Sequence, residues 1–195
     1  MRAPSAEGPR AVWTRRSRSL AGTWHGAIPS SMVQREIVET RVMDAPRDAV
    51  WRVVTDTTNA AQVLRGVEKI EVLEGEVYEV GLRWRETRRI LGRSASEEME
   101  VVAVEPGVST RIEAWSSGVR YTTIFELQAI GPKTRVVVHF RGDPTEEAGA
   151  VQKSLVKLFG GIGAIATSAG LRRDLGDIEV AAAGTPNEMG SALQG

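Results

Sequence analysis

The sequence predicts an α+β fold in which a curved antiparallel sheet of six or seven strands wraps one long C-terminal helix. Three observations predict it. Between Val67 and Phe140, apolar and polar residues alternate in runs that turn-forming residues interrupt about every ten positions, the pattern of an antiparallel meander. After Gly142-Asp143-Pro144 the apolar period lengthens to three and four. It runs through Val151, Leu155, Leu158, Ile162, Ile165 and Ala169 and on to Leu171, Leu175 and Ile178, one amphipathic helix of about 30 residues. A strand and two short helices precede the meander and can plug one end of the sheet. One helix cannot cover the concave face of so many strands, so an internal space between helix and sheet is expected, of the kind that holds small apolar molecules.

Residues 34–43, QREIVETRVM, alternate and are rich in β-branched side chains, so they form the first strand. Asp44-Ala45-Pro46 stops it. Asp44 is a candidate helix cap and Pro46 suits a first helical turn, with Ala49, Val50, Trp51, Val53 and Val54 as the apolar face. Residues 55–59, TDTTN, offer caps for a second short helix through Leu64, which Gly66 ends. The meander strands are Val67–Leu73, Leu82–Leu91, Ser96–Val104, Val108–Trp115, Val119–Ala129 and Thr134–Phe140. Gly160, Gly161 and Gly163 inside the long helix each cost about 1 kcal/mol against Ala, which points to a kink or to close packing on the sheet.

The chain of 195 residues suits one main domain, and 42% hydrophobic with 26% charged residues is an ordinary globular balance. Net charge is zero, so a strongly basic nucleic-acid binder is not indicated. The absence of cysteine excludes disulfides, thiol catalysis, zinc–thiolate and iron–sulfur sites, and two histidines leave little for a metal site. No cofactor is expected: there is no HExxH, no paired-Asp loop, no phosphate-cradling loop and no nucleophile elbow, and GGIG at 160–163 follows no strand. No run of 18 apolar residues occurs, so no stable membrane insertion and a cytoplasmic location are expected. The excess of arginine over lysine fits a high-GC bacterial source.

Residues 1–31 are a different kind of chain. Five arginines against one glutamate give them a net +4, leaving −4 for the rest. Pro, Gly and Ser punctuate the segment and it has no apolar period, so it reads as a disordered basic extension, or as sequence ahead of a translation start at Met32. Arg15-Arg16 as an export signal lacks the continuous apolar stretch such a signal needs. Residues 32–183 are then the ligand-binding domain and 184–195 a disordered tail.

Four stretches carry a family resemblance: APRDAVWRVVTD at 45–56, GLRWRETRRILGRSASEEMEVVAVEPG at 81–107, GPKTRVVVHF at 131–140 and LRRDLGDIEVAA at 171–182. Over about 34–183 the chain resembles the START-like, helix-grip superfamily, also called polyketide cyclase/dehydrase or SRPBCC proteins. The resemblance implies a helix-grip fold around a cavity. Members bind lipids, sterols, polyketides or plant hormones; some cyclise or dehydrate polyketides, and some are co-chaperones.

In the apolar register the concave wall includes Trp84, Ile90, Met99, Val101, Ile112, Tyr121, Phe125, Val136 and Val138, faced by Leu155, Leu158, Phe159, Ile162 and Ile165 of the helix. Most of these only fill a core; a few bordering a gap suffice for a pocket. Trp115, at a strand end, is a candidate pocket lip. Glu86 and Arg88 share the face of Trp84 and Ile90. Buried together they must pair, and they would hold a polar ligand group or tune an acid or base; beyond the sheet edge both would be solvated. Tyr121 can donate a hydrogen bond from an otherwise apolar wall. Arg83, Arg85 and Arg89, with Arg93, form an outer basic stripe, and His139 falls on the outer face. Three functions stay open: binding of a small hydrophobic molecule; a cofactor-free cyclase or dehydrase with Glu86, Arg88 and Tyr121 as acid/base groups; and a protein-interaction module with a filled core.

Overall fold

The computed structural model describes residues 36–90, 92–116, 119–144 and 164–184. Seven strands run β1 Ile37–Met43, β2 Val67–Glu74, β3 Arg83–Ile90, β4 Arg93–Glu105, β5 Ser109–Ser116, β6 Val119–Ile130 and β7 Lys133–Pro144. Helices α1 Arg47–Thr55 and α2 Ala60–Val63 lie between β1 and β2, and α3 Ala164–Ala183 follows β7. The strand order is β1-β7-β6-β5-β4-β3-β2, antiparallel throughout. The meander is the one its alternation predicts, and β1 adds to its far edge by pairing Ile37 with Phe140.

Local chemistry places the turns. Gly107 and Gly131 take φ of 72° and 58°, so the β4–β5 and β6–β7 connections use backbone that a side chain would strain. Register shifts in β2 and between Val101 and Ala103 of β4 add the bends that curve the sheet. The β4 shift also puts Val101 and Val104 on the same face, which strict alternation does not anticipate. Pro46, rather than Asp44, is the N-cap of α1, with no side-chain capping bond; Asp44 instead pairs with Lys133 at 3.4 Å. The second helix is shorter than expected, ending at Val63.

The concave face carries two separate apolar clusters. The larger joins β1, β6 and β7 to α1 and α3 through Met43, Val50, Leu127, Val136, Val138, Leu175 and Ile178. The smaller, on β3 and β4, is Leu82, Trp84 and Val101 with Ile70, Tyr78, Met99, Val104 and Ile112 against it. Helix α3 is tied along both flanks. Toward β1, Glu39 meets Arg172 at 2.8 Å and Ser168, and Arg41 meets Glu179 at 2.5 Å. Toward β2 and β3, Asp177 meets Arg65 at 2.8 Å and Asp174 meets Arg88 at 2.6 Å. Ile165 does not face the sheet as the helical period implied. It is 72% exposed, because the buried seam of α3 runs through Leu175, Ile178 and Ala182 instead.

On the convex face Arg83, Arg85 and Arg89 of the basic stripe are paired, while the Arg93 side chain lies outside the described residues. Arg83 and Arg85 share Glu98, and Arg89 binds Glu68 at 2.6 Å. His139 lies between the buried Val138 and the half-buried Phe140 and faces Glu36 and Glu126, on the outer side as its alternation predicted. Among the described residues no helix is long and apolar enough to cross a membrane, and no three His, Cys, Asp or Glu side chains are grouped to hold a metal ion.

Candidate functional site

Strand pairing lays the site out as cross-strand rows. Trp84 pairs with Met99, Met99 with Ala114, Ala114 with Tyr121, and Tyr121 with Gly142, one row across five strands of the concave face. Small residues at Ala114 and Gly142 flank the Tyr121 ring. A Cβ at Gly142 would lie 3.2 Å from that ring, so glycine lets the tyrosine lie across β7 and stack on Phe140, ring centres 5.9 Å apart.

The neighbouring row is charged. Glu86, 6% exposed, faces Glu97 across the β3–β4 pair, a like-charge pairing that is unfavourable unless something compensates. Arg88 is that compensation on one side. Its Nε donates to Glu86, and its Nη1 donates to Asp174 of α3 at 2.6 Å. The Trp84 indole N–H also donates to Glu86, at 3.4 Å. Asp174 is 8% exposed; its second oxygen, Oδ1, is buried, accepts no hydrogen bond, and lies 4.0 Å from Arg173 Nε. Glu97 makes no ion pair among the described residues.

Burial works against the Arg88 charge, but Glu86 and Asp174 outweigh it and hold the guanidinium firmly protonated. Burial lifts the Asp174 carboxyl in spite of Arg88, and Arg88's attraction does not fully offset it. Glu97 is raised by burial first and by the Glu86 charge second, with Arg88 opposing. The Tyr121 phenol is raised by burial and by Glu97, which places the two groups within electrostatic reach. Three carboxylates therefore gather around the Arg88 guanidinium, and the two that are not fully paired, Glu97 and Asp174, are the ones raised above their ordinary values.

The structure thus brings together Trp84, Glu86, Arg88, Met99 and Tyr121, as the register predicted. Val101 and Ile112 pack in the smaller cluster beside them, while Phe125 packs against the larger one. Trp115 is a correction. It is 47% exposed and pairs with Arg120 and Glu98 on the convex face, because the concave position belongs to its neighbour Ala114. Ile90 ends β3 opposite Arg93, with its side chain outside the described residues, as are Leu155, Leu158, Phe159 and Ile162. Sequence reasoning missed Glu97 and Asp174. The β3–β4 register that pairs Ile90 with Arg93 also pairs Glu86 with Glu97, and Asp174 sits three residues after Leu171 on the apolar seam, so both signals were present.

A cleft of about 410 Å³ lies away from this cluster, between the end of α1 and the β2–β3 loop. Thr55, Asp56, Thr58, Val72, Glu76 and Tyr78 border it. Asp56 is spent on Thr58, at 2.7 Å, and Asn59. The Tyr78 hydroxyl is bound to Thr110 at 3.0 Å, its phenol pushed up to about 12 by burial. The Asp56 and Tyr78 side chains that border the cleft are thus bonded within the fold.

The family described as polyketide cyclase/dehydrase and lipid transport matches residues 34–179. Among solved structures, a protein of Thermus thermophilus superposes with a TM-score of 0.63 at 19% identity, covering 76% of this chain and 97% of the other. The Zhui aromatase/cyclase from Streptomyces sp. R1128 superposes at 0.61 with 20% identity, covering 78% and 99%. A START superfamily protein from Mycobacterium smegmatis gives 0.57 and 16%, covering 74% and 97%. No curated protein matches. At these identities the structural likeness establishes the fold.

Proposed function

The chain belongs to the polyketide cyclase/dehydrase and lipid-transport family, and from that premise we propose that it binds a small hydrophobic molecule against the concave face, over the row Trp84–Met99–Ala114–Tyr121. One observation carries the reading. A wall of apolar and aromatic side chains holds a buried, hydrogen-bonded group, Glu86–Arg88–Asp174, whose charges no requirement of the core explains. Replacing such a group by apolar residues is often neutral or stabilising, so its presence on this wall is better accounted for by recognition than by stability. The apolar body would lie on Trp84 and Met99 with its polar end toward Glu97 and Tyr121.

Native mass spectrometry of protein purified from its own host, with organic extraction of the same sample, tests this. A co-purifying apolar molecule that Trp84→Ala protein loses is the expected result. Protein that is folded, ligand-free and unshifted by added aromatic polyketides or lipids would overturn it.

Glu97 favours a second reading, a cyclase or dehydrase. Burial and the Glu86 charge raise the Glu97 carboxyl, so it holds a proton more readily than an ordinary glutamate and could donate one to a leaving hydroxyl. Glu97→Gln that retains binding and loses turnover on an aromatising polyketide would support the enzyme; unchanged turnover would remove Glu97 from it.

A further inference from the structure

We propose that the β2–β3 connection is the door to the apolar wall: residues 76–80 swing on Gly75 and Gly81, with Tyr78 as the latch, and admit a small hydrophobic molecule from the cleft beside α1. This rests on the binding reading above and names how that site is reached. The connection closes on one side chain. Glu76, Val77, Glu79 and Val80 are all exposed, Val77 at 66% and Val80 at 60%, and only Tyr78 among residues 76–80 is turned in. It packs against the cluster of Leu82, Trp84 and Val101, and its hydroxyl bonds Thr110 of β5 at 3.0 Å.

Tyr78 stands between two spaces. With Leu82 it borders the cleft of about 410 Å³ that Thr55, Asp56 and Thr58 also line. The same two side chains belong to the apolar cluster that holds Trp84, the first residue of the wall. Withdrawing Tyr78 would therefore join the cleft to the wall. The hinges are at hand. Gly75 and Gly81 take φ of 87° and 96°, one at each end of the segment, and glycine can leave such a conformation for others at little cost. A Cβ at Gly81 would meet nothing within 4 Å, so the backbone, not packing, is what calls for glycine there. Among the described residues the segment is held by the Tyr78–Thr110 bond and, at its base, by the Gly81 N–H donating to the Val101 carbonyl at 2.8 Å. One half-buried ring and two hydrogen bonds open far more cheaply than the whole fold. Thr110 also donates to the Ala103 carbonyl at 3.3 Å, so removing the tyrosine hydroxyl orphans no buried group.

Stopped-flow fluorescence of the full chain with N-phenyl-1-naphthylamine, a neutral apolar fluorophore, tests this. A latch acts on passage and not on the bound state, so Tyr78→Phe should raise the association and dissociation rate constants together, by about fivefold. The Kd should stay within about twofold of wild type. Gly81→Ala strains the closed backbone without touching a neighbour and should speed both rates in the same way. It carries the comparison should Tyr78→Phe not fold, which far-ultraviolet melts decide. Hydrogen exchange read without any probe should quicken at the Gly81 amide in Tyr78→Phe. Unchanged rates in the folded variants, or an affinity change carried by dissociation alone, overturns the door and leaves hydrophobic binding standing. Failure of the probe to bind, or binding that Trp84→Ala leaves unchanged, overturns both.

Discussion

The two halves of the concave face are built on opposite terms. Under β1, β6 and β7 the sheet meets α1 and α3 through a dry cluster of Met43, Val50, Leu127, Val136, Val138, Leu175 and Ile178. Charges there, Glu39 and Arg41, stand at its border and pair with α3. Over β3 and β4 a smaller apolar cluster shares the face with Glu86, Arg88 and Glu97, and α3 contributes Asp174 rather than a leucine. The same helix therefore acts as core on one flank and as a polar wall on the other. Stability is concentrated in the first half, and the second can keep groups that a core would exclude.

The largest test of this division is Arg88→Met. It strands Glu86 and Asp174 and should cost about 3–5 kcal/mol in urea denaturation, whereas Glu86→Leu/Arg88→Met/Asp174→Leu should return to wild-type stability or better. A loss under about 1 kcal/mol for the single variant would mean that water already screens these charges and that the halves do not differ. Next, Leu127→Ala in the dry half should cost about 2–5 kcal/mol. Smaller is Gly142→Ala: the new methyl meets the Tyr121 ring, which Phe140 keeps from moving away, so about 1–3 kcal/mol and a changed near-ultraviolet circular dichroism are expected.

The smallest effect reads the difference through pH. Glu39 is held below the usual carboxylate range by its bond from Arg172, with burial opposing and Ser168 assisting. Its contribution is present above pH 4.5 and is lost as pH falls through its lowered folded value. Glu97 is raised, so its contribution is full below pH 4.5 and is lost as pH rises through its folded value. Thermal melts from pH 3 to 7 should therefore show Glu97→Gln gaining on wild type as pH rises and Glu39→Gln losing ground. Parallel curves would break the comparison.

Much of the fold was legible because strands and helix differ in period, and the turns fall at Gly107 and Gly131 where the backbone requires glycine. The Glu86–Arg88 pair was legible for the same reason, since alternation puts both beside Trp84. Partners from distant elements were harder. Asp174 belongs to the site only because Arg88 of β3 reaches α3, a tertiary fact, and Glu97 needs the hairpin register rather than the strand alone. Trp115 was misplaced because an aromatic residue at a strand end looks inward by composition, while parity with Ala114 turns it outward. Ile165 was misplaced because the apolar series shifts phase between Ala169 and Leu171, so it lies off the seam of Leu171, Leu175, Ile178 and Ala182.

The charges on the inward positions of β1 matter most before the molecule is complete. This strand leaves the ribosome ahead of the meander, yet its pairing partner β7 lies about a hundred residues later, so it must wait, unpaired, through synthesis of the other strands. An all-apolar inner face would invite the waiting strand to join the edge of another nascent chain. Glu39 and Arg41 make such an adventitious partner costly, since their matching groups, Arg172 and Glu179, are supplied only by α3, made after every strand of the sheet. The first strand is thereby kept from self-association until the helix that answers its charges arrives.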